Sequence, residues 1–176
     1  MLWPVPKSYS QSLPKVGEPG SFWENRGDRF HCGVDIYAPE RSPVYAVEDG
    51  LVIKLGLFTS PDMVDYWNHT YFILIHHCSG FIALYAEMDQ STLDNDDMIK
   101  KGQFLGRVGR VLNVKRISKD SPEYIQRLKK QNSSTMLHFE CFKSFPCTIP
   151  HYIGGNTLTL KNTRPDFLLN PSNFIG

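Results

Sequence analysis

The segment Phe30-His31-Cys32-Gly33-Val34-Asp35-Ile36 sets a histidine and a carboxylate four residues apart around a glycine. In an extended chain, side chains alternate with period two. His31 and Asp35 then project from one face, and Gly33 between them adds no bulk. A nitrogen and an oxygen donor with open space between them suit a divalent metal such as zinc. The same spacing also serves a surface pair or a cap, so a third ligand has to decide. Met136-Leu137-His138-Phe139-Glu140-Cys141-Phe142 supplies one. As a strand, it puts Met136, His138 and Glu140 on one face and Leu137 and Phe139 on the other. Two histidines and one aspartate leave a fourth position for water, the open arrangement of a catalytic zinc site.

The elements that must position these residues read as β structure. Residues 1–29 are rich in Pro, Gly and Ser and form an irregular lead-in over the surface, with Phe22 and Trp23 packing. Within it, Arg26 and Arg29 read as solvated surface or as neighbours of the site, and Glu24 or Asn25 are candidates to reach the metal. Residues 30–176 read as a single β domain. Residues 43–58 are two strands joined by an Asp49-Gly50 turn. Tyr71 to His76 and Phe81 to Ala86 form a hairpin around Ser79-Gly80, and Met98-Ile99 and Gln103–Gly109 add short pieces. Residues 118–131 break the rhythm. Ser121 is a candidate cap and Pro122 a first helical residue, Tyr124, Ile125 and Leu128 share a side, and the basic end suits a C-terminus. The pattern predicts a mainly β fold, with antiparallel sheets in a barrel or sandwich and one short surface helix.

Composition bounds the rest. The 176 residues suit one domain, and 41% hydrophobic and 21% charged residues are ordinary for a globular chain. A net charge of +1 gives no argument for nucleic acid or an anionic membrane. No apolar run approaches the roughly 20 residues of a membrane span. The N-terminus carries no signal peptide pattern. As written, the chain is expected in the cytoplasm, or in the periplasm or outside the cell if a leader has been removed. Cys32, Cys78, Cys141 and Cys147 form no CxxC pair and read as thiols of a reducing compartment. In an oxidising compartment, Cys141 and Cys147 are near enough in sequence to close a short loop.

In order along the chain, several of these pieces resemble one family. They are Trp3-Pro4, the His31/Asp35 segment, Pro43-Val44-Tyr45-Ala46 through Gly50-Leu51-Val52, His77 to Tyr85-Ala86, Lys101-Gly102-Gln103-Phe104-Leu105-Gly106 with Gly109, Leu137-His138-Phe139-Glu140 and Asn170-Pro171. The sequence resembles the lysostaphin/LytM-type zinc endopeptidases that cut peptide cross-links of peptidoglycan. That resemblance implies a duplicated hybrid motif, a metal in a groove, Zn2+ on His31, Asp35 and His138, and a peptide or peptidoglycan-like substrate. It also exposes two departures. The family has a histidine after Tyr-Ala, where this chain has Glu87, and another two residues before the last ligand, where this chain has Met136. Their loss removes acid–base and electrophilic help on the order of 10² to 10⁴ in rate. Glu87 is a substitute base if it faces the zinc water. Otherwise it is a fourth ligand or a solvated edge residue. His77 and Tyr85 are expected to line the groove or the core, Met136 to pack in the groove wall, and Glu140 to orient a ligand histidine or to form a salt bridge. His151 carries no role. Two functions follow: a divergent metallopeptidase, or an inactive binding and regulatory module of the same fold.

Overall fold

The computed structural model describes residues 2–27, 29–131, 133–143 and 164–175; Cys147 and His151 lie outside them. Among the described residues, nine strands and one α-helix follow in chain order: β1 (Val34–Tyr37), β2 (Pro43–Tyr45), β3 (Gly50–Thr59), β4 (Thr70–His77), β5 (Ile82–Met88), β6 (Met98–Ile99), β7 (Phe104–Arg107), α1 (Glu123–Lys130), β8 (Met136–Phe142) and β9 (Leu168–Leu169). All pairings are antiparallel. The main sheet runs β1-β8-β5-β4-β3-β6, with β9 beside β8, and β2 and β7 make a separate two-stranded sheet. Among the described residues the main sheet is an open path, not a closed barrel.

The central strands β4, β5 and β8 are rich in β-branched and aromatic residues, and almost every position is buried. They need apolar cover on both faces. One face carries Val34, Ile36, Ile73, Ile75, Ala83, Tyr85, Leu137 and Phe139 in the main core. The other carries Leu74, Leu84, Ala86 and Phe142 against Cys32, Phe58 and Phe72, with Phe22 and Trp23 packed on them. This second face also holds the candidate ligands.

Residues 43–58 form two strands, but not a hairpin. β2 pairs with β7, and β3 pairs with β4 and β6. After β2, the Ala46 N–H bonds to the Gln103 carbonyl and the Gly102 N–H to the Ala46 carbonyl. Those backbone groups are therefore already paired before the Asp-Gly turn. Gly50 then crosses so close to β4 that a Cβ would stand 2.6 Å from the His76 carbonyl oxygen. The helix also starts differently from the sequence expectation. Pro122 is its N-cap and no side chain caps it, while the Ser121 hydroxyl accepts from the Ser118 N–H. Tyr124, Ile125 and Leu128 are buried with Trp67, Val111, Leu112, Ile117 and Met136 in a satellite core. Cys32 and Cys141 are buried and Cys78 is exposed.

The lead-in is tied down. Val5 joins the main core, and Tyr45 N–H bonds to the Pro4 carbonyl. Residues 23–27 and 29–31 pair as the two arms of a tight hairpin. Trp23 N–H bonds to the His31 carbonyl, His31 N–H to the Glu24 carbonyl, and Arg26 N–H to the Arg29 carbonyl. The Trp23 and Phe30 rings stack across it at 4.9 Å. From this hairpin the chain passes Gly33, where a Cβ would lie 2.5 Å from the Phe139 carbonyl oxygen and 3.0 Å from His138 Cε1. Backbone cannot yield there as a flexible side chain does. Gly33→Ala is therefore expected to cost on the order of 1–3 kcal/mol, measured by urea unfolding, and to push β1 away from β8.

Candidate metal centre

The pairing of β1 with β8 builds the site. Asp35 stands opposite His138, and Ala86 of β5 flanks His138 on its other side. His31 enters from the return arm of the hairpin. His31, Asp35 and His138 are all buried, at 3%, 3% and 4% exposure. Their ligand atoms converge: His31 Nε2 is 3.1 Å from Asp35 Oδ1 and 3.1 Å from His138 Nδ1, and His138 Nδ1 is 2.9 Å from Asp35 Oδ1. A tetrahedral ion with bonds of about 2.0–2.1 Å holds its ligand atoms roughly 3.3 Å apart. The three atoms therefore fit zinc with little adjustment.

The outer hydrogen bonds aim the ligands. His31 Nδ1 donates to the Ser21 carbonyl at 2.8 Å, which leaves Nε2 with its lone pair facing the centre. His138 Nε2 donates to Glu140 Oε1 at 2.6 Å, which turns Nδ1 inward. Arg26 Nη2 donates to Asp35 Oδ2 at 2.6 Å and leaves Oδ1 for the centre. The Phe58 ring stacks on His138 with centroids 5.9 Å apart and limits its rotation.

Electrostatics follow from these partners. Burial opposes charge on Asp35, yet its interactions with His31 and the Arg26 guanidinium, together with hydrogen bonds from both histidines, hold its carboxyl well below the usual range. Burial and Arg26 keep His31 neutral by lowering its pKa. Burial also opposes protonation of His138, but Asp35 and Glu140 outweigh it and push the ring up to about 10. A metal ion bound through that nitrogen would have to displace the proton, and loading would release acid.

The structure brings Glu87 to this cluster. It sits at a register shift in β5 with φ 61°, in the left-handed region, which breaks the strand's alternation. Its Oε2 is buried without a hydrogen bond. Burial first, then the Asp35 charge, pushes its carboxyl up to about 8, against His138, Arg26 and Arg29. Met136 packs in the satellite core at the edge of the site. His77 and Tyr85 are elsewhere. Tyr85 lies on the opposite face of the sheet, its hydroxyl 3.1 Å from His77 Nε2 and accepting the Val47 N–H. Both rings pack in or against the main core.

Further site residues come from segments without sequence periodicity. Glu24, with its Oε2 accepting from Gly20 N–H, lies 3.4 Å from Arg26 Nε and takes a 2.8 Å bond from Arg127 Nη2 of α1. Tyr124 of α1 lies under the guanidinium of Arg26 at 5.2 Å and accepts from Arg29 Nη2 at 2.7 Å. Neither Glu24 nor Asn25 is among the three converging ligands. A lead-in arginine close to a ligand motif was the one available signal.

The fold and the centre thus define a mainly antiparallel β domain with a three-residue candidate metal centre. The family model of Peptidase family M23 matches residues 29–144, and the chain belongs to that family. It is 32% identical over 114 residues to the "Uncharacterized lipoprotein YgeR" of Escherichia coli (strain K12), covering 60% of this chain and 41% of the relative's length. In structure it is similar to the catalytic domain of the antimicrobial peptidase lysostaphin from Staphylococcus simulans, with a TM-score of 0.53, 17% identity, and coverage of 92% of this chain and 91% of that one. It is also similar to a chain of the SpoIIQ–SpoIIIAH pore forming complex, with a TM-score of 0.51, 19% identity, and coverage of 96% and 80%. These structural likenesses support the fold.

Glu87 gives the metal-free protein a testable pH dependence. Its folded pKa of about 8 lies above its ordinary value of 4.5. The protonated form is therefore favoured by folding. Its contribution is full below about pH 4.5 and is lost as pH rises through about 8. Urea unfolding in chelator is expected to show the wild type losing stability from about pH 5 to pH 8.5, and Glu87→Gln losing less over that range. Parallel profiles for the two proteins would remove Glu87 as the source.

Proposed function

We propose that this chain is a divergent zinc metallopeptidase domain that hydrolyses a peptide bond in a cell-wall-type peptide. The observation that carries the proposal is the convergence of His31 Nε2, Asp35 Oδ1 and His138 Nδ1 within 3.1 Å of one another. These three residues would hold the ion. Bound there, zinc supplies Lewis acidity for the scissile carbonyl and lowers the pKa of water.

The chain's own residues do the rest. Ser21 and Glu140 fix which nitrogen of each histidine faces inward, and Arg26 fixes the Asp35 carboxylate. Glu87 takes the proton-transfer role that a histidine fills in the lysostaphin/LytM-type enzymes. With a cation at the centre to draw its pKa down from the metal-free value of about 8, its uncommitted Oε2 supports a group that accepts a proton from the attacking water and returns it to the departing amine. Met136 has no proton to exchange and supports none of this chemistry. Similarity to the lipoprotein YgeR supports an extracytoplasmic location for this domain.

A second reading, an inactive zinc- or peptide-binding regulatory module, is favoured by one observation: all three ligands are at most 4% exposed. Metal content separates the first step from the second. The wild type is expected to purify with about one zinc per chain by elemental analysis and His138→Ala with none; no zinc, and no uptake when zinc is added, would overturn the metal site. Zinc-loaded wild type is then expected to cleave peptidoglycan peptides, and Glu87→Gln to lower the rate on the order of 10² to 10⁴. Full activity in Glu87→Gln would refute its role. Zinc and peptide binding without turnover would establish the regulatory module.

A further inference from the structure

The three outer hydrogen bonds of the centre are not alike in charge. His31 gives its proton to a neutral carbonyl of Ser21, and His138 gives its proton to the carboxylate of Glu140. Both bonds make the inward nitrogen a better donor. Asp35 does the reverse: its outer oxygen receives a full positive charge from Arg26 at 2.6 Å. That guanidinium cannot deprotonate. It is locked in place, with a side chain only 13% exposed, 3.4 Å from Glu24 and over the ring of Tyr124. Glu24 in turn is held by Gly20 N–H and Arg127. The hairpin that delivers Arg26 lies mainly before the 29–144 family match, and its return arm carries His31. Arg26 is therefore as fixed a part of the centre as the ligands are.

We infer that Arg26 is a built-in counter-ion that competes with the metal for Asp35, so that the ligand set stays assembled without an ion and releases one readily. The inference rests on the zinc reading above. Its physics is a repulsive coupling. Two cations on the two oxygens of one buried carboxylate oppose each other, and the interior screens them less than water does. Without metal, Arg26 neutralises a buried anion that would otherwise be costly to bury. With metal, the same guanidinium raises the energy of the loaded state. Glu24 softens that repulsion from behind.

The two charges therefore have opposite expected effects on zinc affinity. The experiment titrates the full chain with zinc chloride against a chromophoric chelator and compares thermal unfolding in zinc and in EDTA. Arg26→Met is expected to bind zinc about 10-fold or more tightly than wild type. It should also unfold at lower temperature in EDTA and gain more from zinc. Glu24→Gln, which leaves the Arg26 charge uncompensated, is expected to bind zinc several-fold more weakly. A mere loosening of the hairpin would weaken both variants. Unchanged or weaker binding by Arg26→Met overturns the inference. If Arg26→Met folds only when zinc is present, that supports it. If Arg26→Met folds in neither condition, Glu24→Gln decides, and unchanged or tighter binding by that variant overturns it. Zinc binding by Arg26→Met but not by wild type would sink the zinc reading of the natural protein and keep the inference. Binding by none of the three proteins would sink both.

Discussion

The antiparallel pairing of β1 with β8 is the constraint on which the centre depends. It sets Asp35 opposite His138 and leaves Val34 and Ile36 facing Phe139 and Leu137 in the main core. A slip of one residue would turn the aspartate into that core and an apolar residue into the site. The hydrophobic alternation of both strands therefore fixes the geometry of the candidate metal centre. Gly33 belongs to the same constraint, because the chain must pass over the Phe139 carbonyl before the pairing begins.

A site this buried has to satisfy its polar groups internally. Charged and polar atoms without partners in a dry interior cost several kcal/mol each, and the sheet face around them is aromatic. The chain answers with linked bonds: Ser21 to His31, Arg26 to Asp35, Glu140 to His138, Glu24 to Arg26 and Arg127 to Glu24. Among the described residues, Arg127 Nε finds no partner, and neither does an oxygen of Glu87. Burial keeps its proton on near neutral pH, and this makes a carboxyl tolerable there at all.

What could be seen in the sequence was what periodicity and motif spacing encode. The β-rich runs around 71–76, 81–86 and 136–142 became strands, and the 123–130 segment became a helix with Tyr124, Ile125 and Leu128 inward. The β8 face that carries His138, and the β1 face that carries Asp35, were readable because a strand's period of two leaves little choice. Pairing partners were not. An Asp-Gly turn looks like a hairpin, but β2 had its backbone groups met by the 102–107 segment, a long-range choice that no local pattern records. Tyr85 and His77 followed family order along the chain, yet strand parity sends Tyr85 to the other face. Glu87 escaped that parity only through a register shift at a positive φ. The roles of Ser21, Glu24 and Arg26 were illegible for a simpler reason: irregular chain has no period, and its contacts are set by what it lands on.

That last point changes where the functional unit ends. The family match opens at residue 29, two residues before His31, yet His31 is oriented by the carbonyl of Ser21 and Asp35 by the guanidinium of Arg26. The 109–135 segment reaches in from the other side, with Tyr124 and Arg127 one turn apart on α1 gripping the same hairpin. The lead-in and α1, far apart in sequence, thus meet around Arg26 and Glu24 and set the charge that Asp35 feels. In a domain whose sheet supplies Asp35 and His138, it is this meeting of lead-in and helix that holds the Arg26 guanidinium on the Asp35 carboxylate.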